Sequence, residues 1–169
     1  MIRMMETEAL CAGDGPYRPN VAALILRRNG PETLILMGER LNMPGAWQWP
    51  QGGIDEGEDA LAALHREVLE ETGIDRLTVL GQLEGRYRYR FPVSIAARFV
   101  PYIGQTQTYF IATTSQDYNP SAVREPEFMR MKWLPLDRAG ESGVWFKADV
   151  YNRVLKELKR ILPSINAKF

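Results

Sequence analysis

The pattern of apolar and polar residues predicts strands in the first third of the chain. Two apolar, β-prone runs, VAALILRR (21–28) and TLILMGER (33–40), flank the turn-forming residues NGPE. Strand-length runs joined by a short polar turn are typical of a β-hairpin. The next segment, MPGAWQWPQGG (43–53), is rich in proline and glycine but contains two tryptophans. This composition indicates a packed loop or a short strand.

The rest of the chain alternates β-like runs with polar connections and ends in a helix. Residues 77–92, 105–114 and 129–136 have strand character, whereas 119–128 is a polar loop. From Lys147 to about Leu162, apolar residues recur with the period of an amphipathic helix. These residues are Val150, Val154, Leu158 and Ile161.

The order of strands, helix, strands and helix predicts an α/β (α+β) domain in which helices pack on a mixed β-sheet. A chain of 169 residues is long enough to bury a sizeable core in one domain. We expect residues 1–16 to form a flexible leader and residues 17–165 to form the single domain.

The stretch GGIDEGEDALAALHREVLEETGI (52–74) contains the other helix, predicted from about Asp59 to Thr72. Acidic residues precede this helix, where its dipole favours negative charge. Gly73 is a natural stop signal. One apolar stripe is expected to face the sheet: Leu61, Leu64 and Val68.

Three glutamates of this helix, Glu67, Glu70 and Glu71, are spaced i, i+3, i+4 and are expected to project from one adjacent side. Like charges at this spacing destabilise a helix by about 0.2–0.5 kcal/mol per pair. A solvated acidic face is the ordinary interpretation of such a cluster. A bound divalent cation would reverse the sign of the interaction, because hard cations such as Mg²⁺ prefer carboxylate oxygens.

The residues around these glutamates match the pattern G-x5-E-x7-R-E-U-x-E-E-x-G-U at every fixed position, where U is a bulky aliphatic residue. The matching residues are Gly52, Glu58, Arg66, Glu67, Val68, Glu70, Glu71, Gly73 and Ile74. This pattern resembles the Nudix box, the signature of hydrolases that cleave a nucleoside diphosphate linked to another group. Nine matches within 23 residues favour this interpretation over a solvated acidic face.

The resemblance implies a role for each charged residue of the box. Glu67, Glu70 and Glu71 would hold Mg²⁺ or Mn²⁺ against a polyphosphate, which neutralises charge and activates a water. Glu58 would support these metal ligands. Arg66 would point to another side of the helix, pair with a glutamate and fix its rotamer.

Other segments resemble one branch of this family, the bacterial RNA 5′-pyrophosphohydrolases and the related dinucleoside polyphosphate (Ap4A/Ap5A) hydrolases. The similarity extends from about Tyr17 to about Leu162 and implies the Nudix fold, a mixed β-sheet sandwiched between helices. The segments that carry it are YRPNVAALIL (17–26), WQWPQGGIDEGE (47–58), YRYRFP (87–92), IGQTQTYF (103–110), PEF (126–128) and FKADVYNRVLKE (146–157).

Five further residues match functional positions of that branch. Arg18 matches an arginine near the phosphates, and Arg40 matches a basic residue beside the bases of the substrate. Phe146 matches a base-stacking aromatic residue, and Lys147 matches a phosphate-binding lysine. Glu127 matches a distal glutamate that completes the metal site. We expect it to join the site only when its loop closes over bound polyphosphate.

The remaining candidates are less specific. Gly52 and Gly53 would let the backbone turn tightly and approach phosphate. Tyr89, within the basic and aromatic RYRYR (86–90), lines the nucleotide site or serves in cross-strand pairing. His65, the only histidine, occupies a variable position of the box and is expected on the surface.

Composition restricts the partners. Lys plus Arg and Asp plus Glu both number 21, and the resulting net charge of zero argues against bulk adhesion to nucleic acid or to an acidic membrane. The single cysteine, Cys11, cannot form an internal disulfide, which fits a reducing compartment. The N-terminus lacks the apolar region of a secretory signal, and no apolar run is long enough to span a bilayer. We therefore expect a cytoplasmic protein that binds a nucleotide, without membrane attachment or a stable protein partner.

Three functions remain open. The first, removal of pyrophosphate from triphosphorylated RNA, is favoured by the similarity along nearly the whole chain. The second, hydrolysis of a dinucleoside polyphosphate to ATP and another nucleotide, is favoured by the zero net charge. It is also favoured by FPVSIAARFVPYIGQ (91–105), which is less basic than the matching segment of the family. The third is a silent nucleotide-sensing module, which would be expected to lose box glutamates that this chain keeps.

Overall fold

The computed structural model describes residues 14–141 and 143–169. Most of the predicted leader, together with Cys11, lies outside the described residues. The strands are β1 Tyr17–Asn29, β2 Glu32–Arg40, β3 Trp47–Gln48, β4 Gln51–Gly53, β5 Thr78–Gln82, β6 Tyr87–Arg90, β7 Gly104–Thr113 and β8 Phe128–Pro135. The α-helices are α1 Ala60–Thr72, α2 Val93–Ala96 and α3 Ala148–Ile165. Short 3₁₀ turns occupy Pro120–Ala122, Leu136–Arg138, Trp145–Lys147 and Asn166–Lys168.

The eight strands form one mixed sheet, as predicted. Its main order is β3-β2-β1-β7-β5, with β4 beside β1, β6 beside β7 and β8 beside β2. The central pair β1 and β7 is parallel, and the other pairs are antiparallel. The predicted hairpin is confirmed, because β1 and β2 are antiparallel neighbours whose register closes at Asn29 and Glu32.

Helices cover both faces of the sheet, so β1 is buried on both sides. Alternate β1 residues such as Val21 and Ile25 pack in the cluster that includes α1. Their neighbours, such as Leu24 and Leu26, pack in the larger cluster that includes α3. A strand buried on both faces has no polar alternation, which explains why residues 21–26 are all apolar.

Helix α1 has the predicted limits. The side chain of its N-cap, Asp59, accepts a hydrogen bond from the Leu61 amide, and Gly73 ends the helix with φ of 73°. Leu64 and Val68 are buried as predicted, but Leu61 is 44% exposed. The prediction for Leu61 was wrong because Leu61 lies in the first turn of the helix, although at roughly 100° per residue it falls on the same side as the buried Val68 and Thr72.

Helix α3 forms the cover of the opposite face. It extends to Ile165, slightly beyond the predicted end, and buries Val150, Val154 and Leu158. Its Tyr151 also stacks on Trp49, with ring centroids 4.1 Å apart. Among the helices in the described part of the chain, none is long and apolar enough to cross a membrane.

Gly73→Ala should destabilise the fold. An alanine in the left-handed conformation costs roughly 1–2 kcal/mol, and its Cβ would also lie 2.6 Å from the carbonyl oxygen of Asn119. Gly30→Ala is the matched control, because Gly30 has φ of 59° but open space around the new Cβ. In urea unfolding, Gly73→Ala should lose more stability than Gly30→Ala. Equal losses would contradict the steric part of this argument.

Candidate active site

The site begins where α1 lies against β4. Glu71 turns inward from the helix and is 4% exposed. One of its carboxylate oxygens, Oε2, accepts a hydrogen bond of 2.9 Å from the Gln51 amide. The other, Oε1, is buried and has no hydrogen-bond partner among the described residues. Burial raises the pKa of Glu71 well above its usual range, and the neighbouring charge of Glu127 raises it further.

The three box glutamates line one cavity together with Glu127, consistent with the predicted common side, but they are buried to different degrees. Glu71 faces the sheet, whereas the Glu70 side chain is 58% exposed. Glu67 lies between them, with a side chain that is 15% exposed. The difference arises because the helix buries the arc centred on Leu64 and Glu71, which carries Glu71 away from Glu70.

Glu127 lines the same cavity as Glu67, Glu70 and Glu71, and its negative charge raises the pKa of Glu71. Since no three carboxylates among the described residues are arranged to hold a metal ion, the expectation that Glu127 completes the site when its loop closes over polyphosphate stays a prediction. The loop is held to β2 because the Leu41 amide donates a hydrogen bond of 2.8 Å to the carbonyl oxygen of Glu127. This backbone contact was invisible in the sequence, since it joins residues far apart in the chain.

Arg66 ties the acidic residues together. Its guanidinium donates two hydrogen bonds of 2.8 Å to Glu58, one of 2.7 Å to Glu67 and one of 3.3 Å to Glu70. It also donates to the carbonyl oxygen of Gly53 at 3.0 Å. The predicted pairing with a glutamate is present, but the side chain does not point away from the cluster, because five donors on a long stem reach all three carboxylates.

Glu58 supports this arrangement indirectly. Hydrogen bonds from Arg66 and from the Asp55 amide lower the pKa of Glu58 to about 2. Because both of its carboxylate oxygens are engaged, Glu58 orients Arg66 and, through it, Glu67. The exposed His65 is not among the residues around this cluster, in agreement with the prediction.

Two glycines allow side chains to cross β4. A Cβ at Gly52 would lie 1.8 Å from Cδ of Glu67, and a Cβ at Gly53 would lie 2.1 Å from Nη2 of Arg18. The sequence predicted glycines for a close approach to phosphate. In the structure, the space that they leave is filled by Glu67 and Arg18 themselves, so these glycines position two residues of the site.

A cavity of about 260 Å³ adjoins the carboxylates. All seven residues predicted to contact substrate line it: Arg18, Arg40, Gly52, Gly53, Tyr89, Phe146 and Lys147. Glu67 and Glu127 also line it, which joins the cationic and aromatic walls to the acidic cluster. Arg98 and Phe99 line it too and were missed, because they lie in the segment that looked poor in basic residues.

Lys147 is the buried cation of this cavity, with 1% exposure. Its ammonium lies 3.0 Å from Oε1 of Gln51 and 3.4 Å from Oε1 of Gln48. Burial lowers the pKa of Lys147 to about 7, and the positive charge of Arg40 contributes to the same shift. A buried ammonium whose partners are neutral amide oxygens is suited to bind an anionic phosphate.

Hydrogen bonds among polar side chains fix the floor of the cavity. The Gln107 side-chain amide donates to Asn20 at 2.9 Å and to Gln51 at 2.6 Å. The Tyr89 hydroxyl donates to Oε1 of Gln105 at 2.8 Å. Oε1 of Gln51 therefore accepts from both Gln107 and Lys147, so the ammonium is held in place by the network. Neither Gln105 nor Gln107 had a predicted role: Gln105 lines the cavity, and Gln107 lies outside the lining and holds Gln51.

The carboxylates fit a hard divalent cation without being preset for one. Among the described residues, no three His, Cys, Asp or Glu side chains are already arranged as a metal site. Glu67 is instead held by Arg66, and its pKa is raised by burial despite that contact. The unpartnered Oε1 of Glu71, with Glu67 and Glu127 nearby, supplies oxygen donors whose mutual repulsion a cation would relieve.

Comparisons with known proteins agree with this geometry. A family model described as the NUDIX domain matches residues 16–154. A protein of Helicobacter pylori (strain G27) named RNA pyrophosphohydrolase is 40% identical over 146 residues, covering 85% of this chain and 94% of that protein. A protein of the same name from a Nitratiruptor species is 38% identical, with the same coverage.

The fold also matches a solved structure of an Ap4A hydrolase from C. elegans, with a TM-score of 0.65 and 21% identity. The match covers 87% of this chain and 98% of that one. The mixed sheet, the box helix and the carboxylates define a hydrolase of the kind that uses divalent metal ions. The chain belongs to the Nudix hydrolase family.

Glu71→Gln should nearly abolish turnover while the protein stays folded. Loss of a catalytic carboxylate lowers rates on the order of 10²–10⁴-fold, and the glutamine oxygen can still accept from the Gln51 amide. Because the folded-state pKa of Glu71 is raised, stability of the metal-free protein falls as pH rises through that pKa. The variant should therefore melt no lower than wild type at pH 8.

Glu70→Gln tests the exposed position of the same cluster and should also lower turnover strongly. The measurements are kcat at saturating metal and the melting temperature of the metal-free protein. Activity above roughly a tenth of wild type in both variants would remove these residues from the catalytic machinery.

The Glu58–Arg66 pair should stabilise the fold in a defined pH range. Since the folded-state pKa of Glu58 is lowered to about 2, its contribution is complete above the unfolded value of about 4.3 and is lost as pH falls towards 2. Glu58→Gln should melt below wild type at pH 6, and the gap should narrow between pH 4.5 and 2. A gap that is independent of pH would contradict the assignment to this ion pair.

Proposed function

We propose that the protein is a Mg²⁺- or Mn²⁺-dependent pyrophosphohydrolase that converts the triphosphate at the 5′ end of RNA to a monophosphate. The observation that carries the proposal is the continuity of one cavity, in which Glu67 and Glu127 share walls with Lys147, Arg18 and Phe146. Carboxylates for a metal, cations for phosphates and rings for a base thus meet in one place. The relatives named RNA pyrophosphohydrolase support the choice of RNA.

The residues divide the work by charge. Glu67, Glu70, Glu71 and Glu127 would hold the divalent cation, whose chemistry is to neutralise the polyphosphate and to lower the pKa of a bound water. Arg66 keeps Glu67 and Glu70 oriented. The cavity walls supply the groups on the substrate side: Arg18 and Lys147 for phosphate oxygens, and Arg40, Tyr89 and Phe146 for a base.

Hydrolysis of dinucleoside polyphosphates is the second candidate. It is favoured by the zero net charge of the chain, since extended contacts with an RNA backbone rely on an excess of Lys and Arg. The cavity suits both substrates, because each brings a polyphosphate and a base. A silent sensing module is less consistent with the retained glutamates. For either enzyme we propose a cytoplasmic location, a nucleotide substrate and no stable protein partner.

Metal removal tests the catalytic part of the proposal. Protein treated with EDTA and then dialysed should be inactive, and added Mg²⁺ or Mn²⁺ should restore hydrolysis. The physical reason is that the acidic cluster repels a polyphosphate when no cation is bound. Full activity of the EDTA-treated protein without added metal would overturn the metal assignment.

A side-by-side comparison tests the substrate. Values of kcat/KM would be measured on 5′-triphosphorylated RNA, diadenosine tetraphosphate and simple nucleoside triphosphates, with the same metal and buffer. The proposal expects RNA to give the highest value and pyrophosphate to be released. A higher value on diadenosine tetraphosphate would favour the second candidate, and no hydrolysis of any substrate would favour the sensing module.

A further inference from the structure

Trp145 is the most exposed of the large apolar side chains in the described part of the chain, at 69%. It had no predicted role, although it directly precedes Phe146 and Lys147 of the cavity. A single exposed apolar residue needs no explanation by itself. The case for a function depends on how rigidly this ring is held and on what lies next to it.

The backbone around Trp145 is fixed by its neighbours. Val144 is fully buried and Lys147 is 1% exposed, so both ends of the turn Trp145–Lys147 are anchored in the interior. The Lys147 amide donates a hydrogen bond of 2.9 Å to the carbonyl oxygen of Val144. Gly143 also forms a bridge with Trp47. The exposed indole is therefore presented to solvent by a rigid turn.

Three aromatic rings form a series from the cavity to the surface. Tyr89 is 8% exposed, and the centroid of its ring lies 5.8 Å from that of Phe146. Both residues line the cavity. The ring centroids of Trp145 and Phe146 are 5.4 Å apart, and the two ring planes are at 85° to each other. Trp145 does not line the cavity. The exposed indole thus lies next to Phe146, one ring outside the lining of the cavity.

A substrate with several nucleotides extends beyond this cavity. The cavity's volume of about 260 Å³ lies below the roughly 300–1,000 Å³ that is typical of small-molecule sites. With the triphosphate at the carboxylates and a base at Phe146, the rest of an RNA chain continues outside. Exposed aromatic rings bind successive bases of single strands by stacking.

We propose that Trp145 is a stacking platform for the next base of an RNA substrate, beyond the one that lies against Phe146. The proposal rests on the function proposed above and deepens it, because it makes Trp145 a specificity residue for RNA over mononucleotides. The indole is 69% exposed and therefore accessible to a base, and the angle of 85° between the two rings would place that base at an angle to the base at Phe146.

The test measures how activity depends on substrate length. Values of kcat/KM would be determined for ATP and for 5′-triphosphorylated RNAs of two, three and four nucleotides, on wild type, Trp145→Ala and Trp145→Phe. Wild type should gain activity as the RNA reaches Trp145. Trp145→Ala should lose roughly five- to a hundred-fold on the longer RNAs, with a much smaller change on ATP, and Trp145→Phe should recover part of the loss.

Leu61→Ala is the matched control, because Leu61 is another exposed apolar residue on a different element. The kcat/KM of Leu61→Ala should equal that of wild type on ATP and on RNAs of every length tested. A loss for Trp145→Ala that is equal on ATP and on all RNAs, or no loss at all, would overturn the platform. A change in the oligomeric mass of Trp145→Ala without a length-dependent loss would overturn it in favour of a protein contact.

Failure of the platform is distinguishable from failure of the proposed function. If wild type hydrolyses triphosphorylated RNA but Trp145→Ala shows no length-dependent loss, only the platform is wrong. If wild type fails to hydrolyse any triphosphorylated RNA, the proposed function itself is wrong and the platform falls with it.

Discussion

The contact of Arg66 with three carboxylates is the interaction on which the site depends. Its guanidinium joins the loop before α1 through Glu58, the helix through Glu67 and Glu70, and strand β4 through the carbonyl oxygen of Gly53. Without a cation at its centre, such a group of like charges would push the helix away from the strand. The absence of a Cβ at Gly52 then lets Glu67 lie directly over the strand.

Burial perturbs two groups of opposite charge within this small region. It raises the pKa of Glu71 and lowers that of Lys147, because each charged form is deprived of water. Neither group has an ionic partner that fully offsets this cost: Glu71 accepts from a backbone amide, and Lys147 donates to amide oxygens. A metal-bound polyphosphate would supply both ionic partners: its cation would bind the carboxylate of Glu71, and its phosphates would bind the ammonium of Lys147.

The sequence was sufficient for local features and for the family. The limits of α1 and the β1–β2 hairpin followed from apolar patterns and turn or stop signals, and the box spacing identified the charged residues. The predicted β-like run 77–92, by contrast, divides into β5 and β6, and α2 was not predicted. The errors arose where a contact joins distant segments. The exposure of Leu61 depends on which turn of α1 lies over the sheet, and the position of Glu127 beside Glu71 depends on the backbone hydrogen bond from Leu41. The burial of Lys147 and the contribution of Arg98 to the cavity could not be predicted, because no local pattern marks them.

The same limits explain why the substrate is harder to infer than the chemistry. The chemistry needs carboxylates at fixed helical spacing, which one short segment of sequence specifies. The residues that we propose for substrate selection come instead from β1, β2, β6 and the turn before α3, which meet only in the folded protein. The rings of Tyr89, Phe146 and Trp145 follow one another in order of increasing exposure, and only the last lies outside the cavity lining. With a base stacked on Trp145, as proposed above, this order of rings favours a substrate that continues beyond the cavity, and RNA is such a substrate.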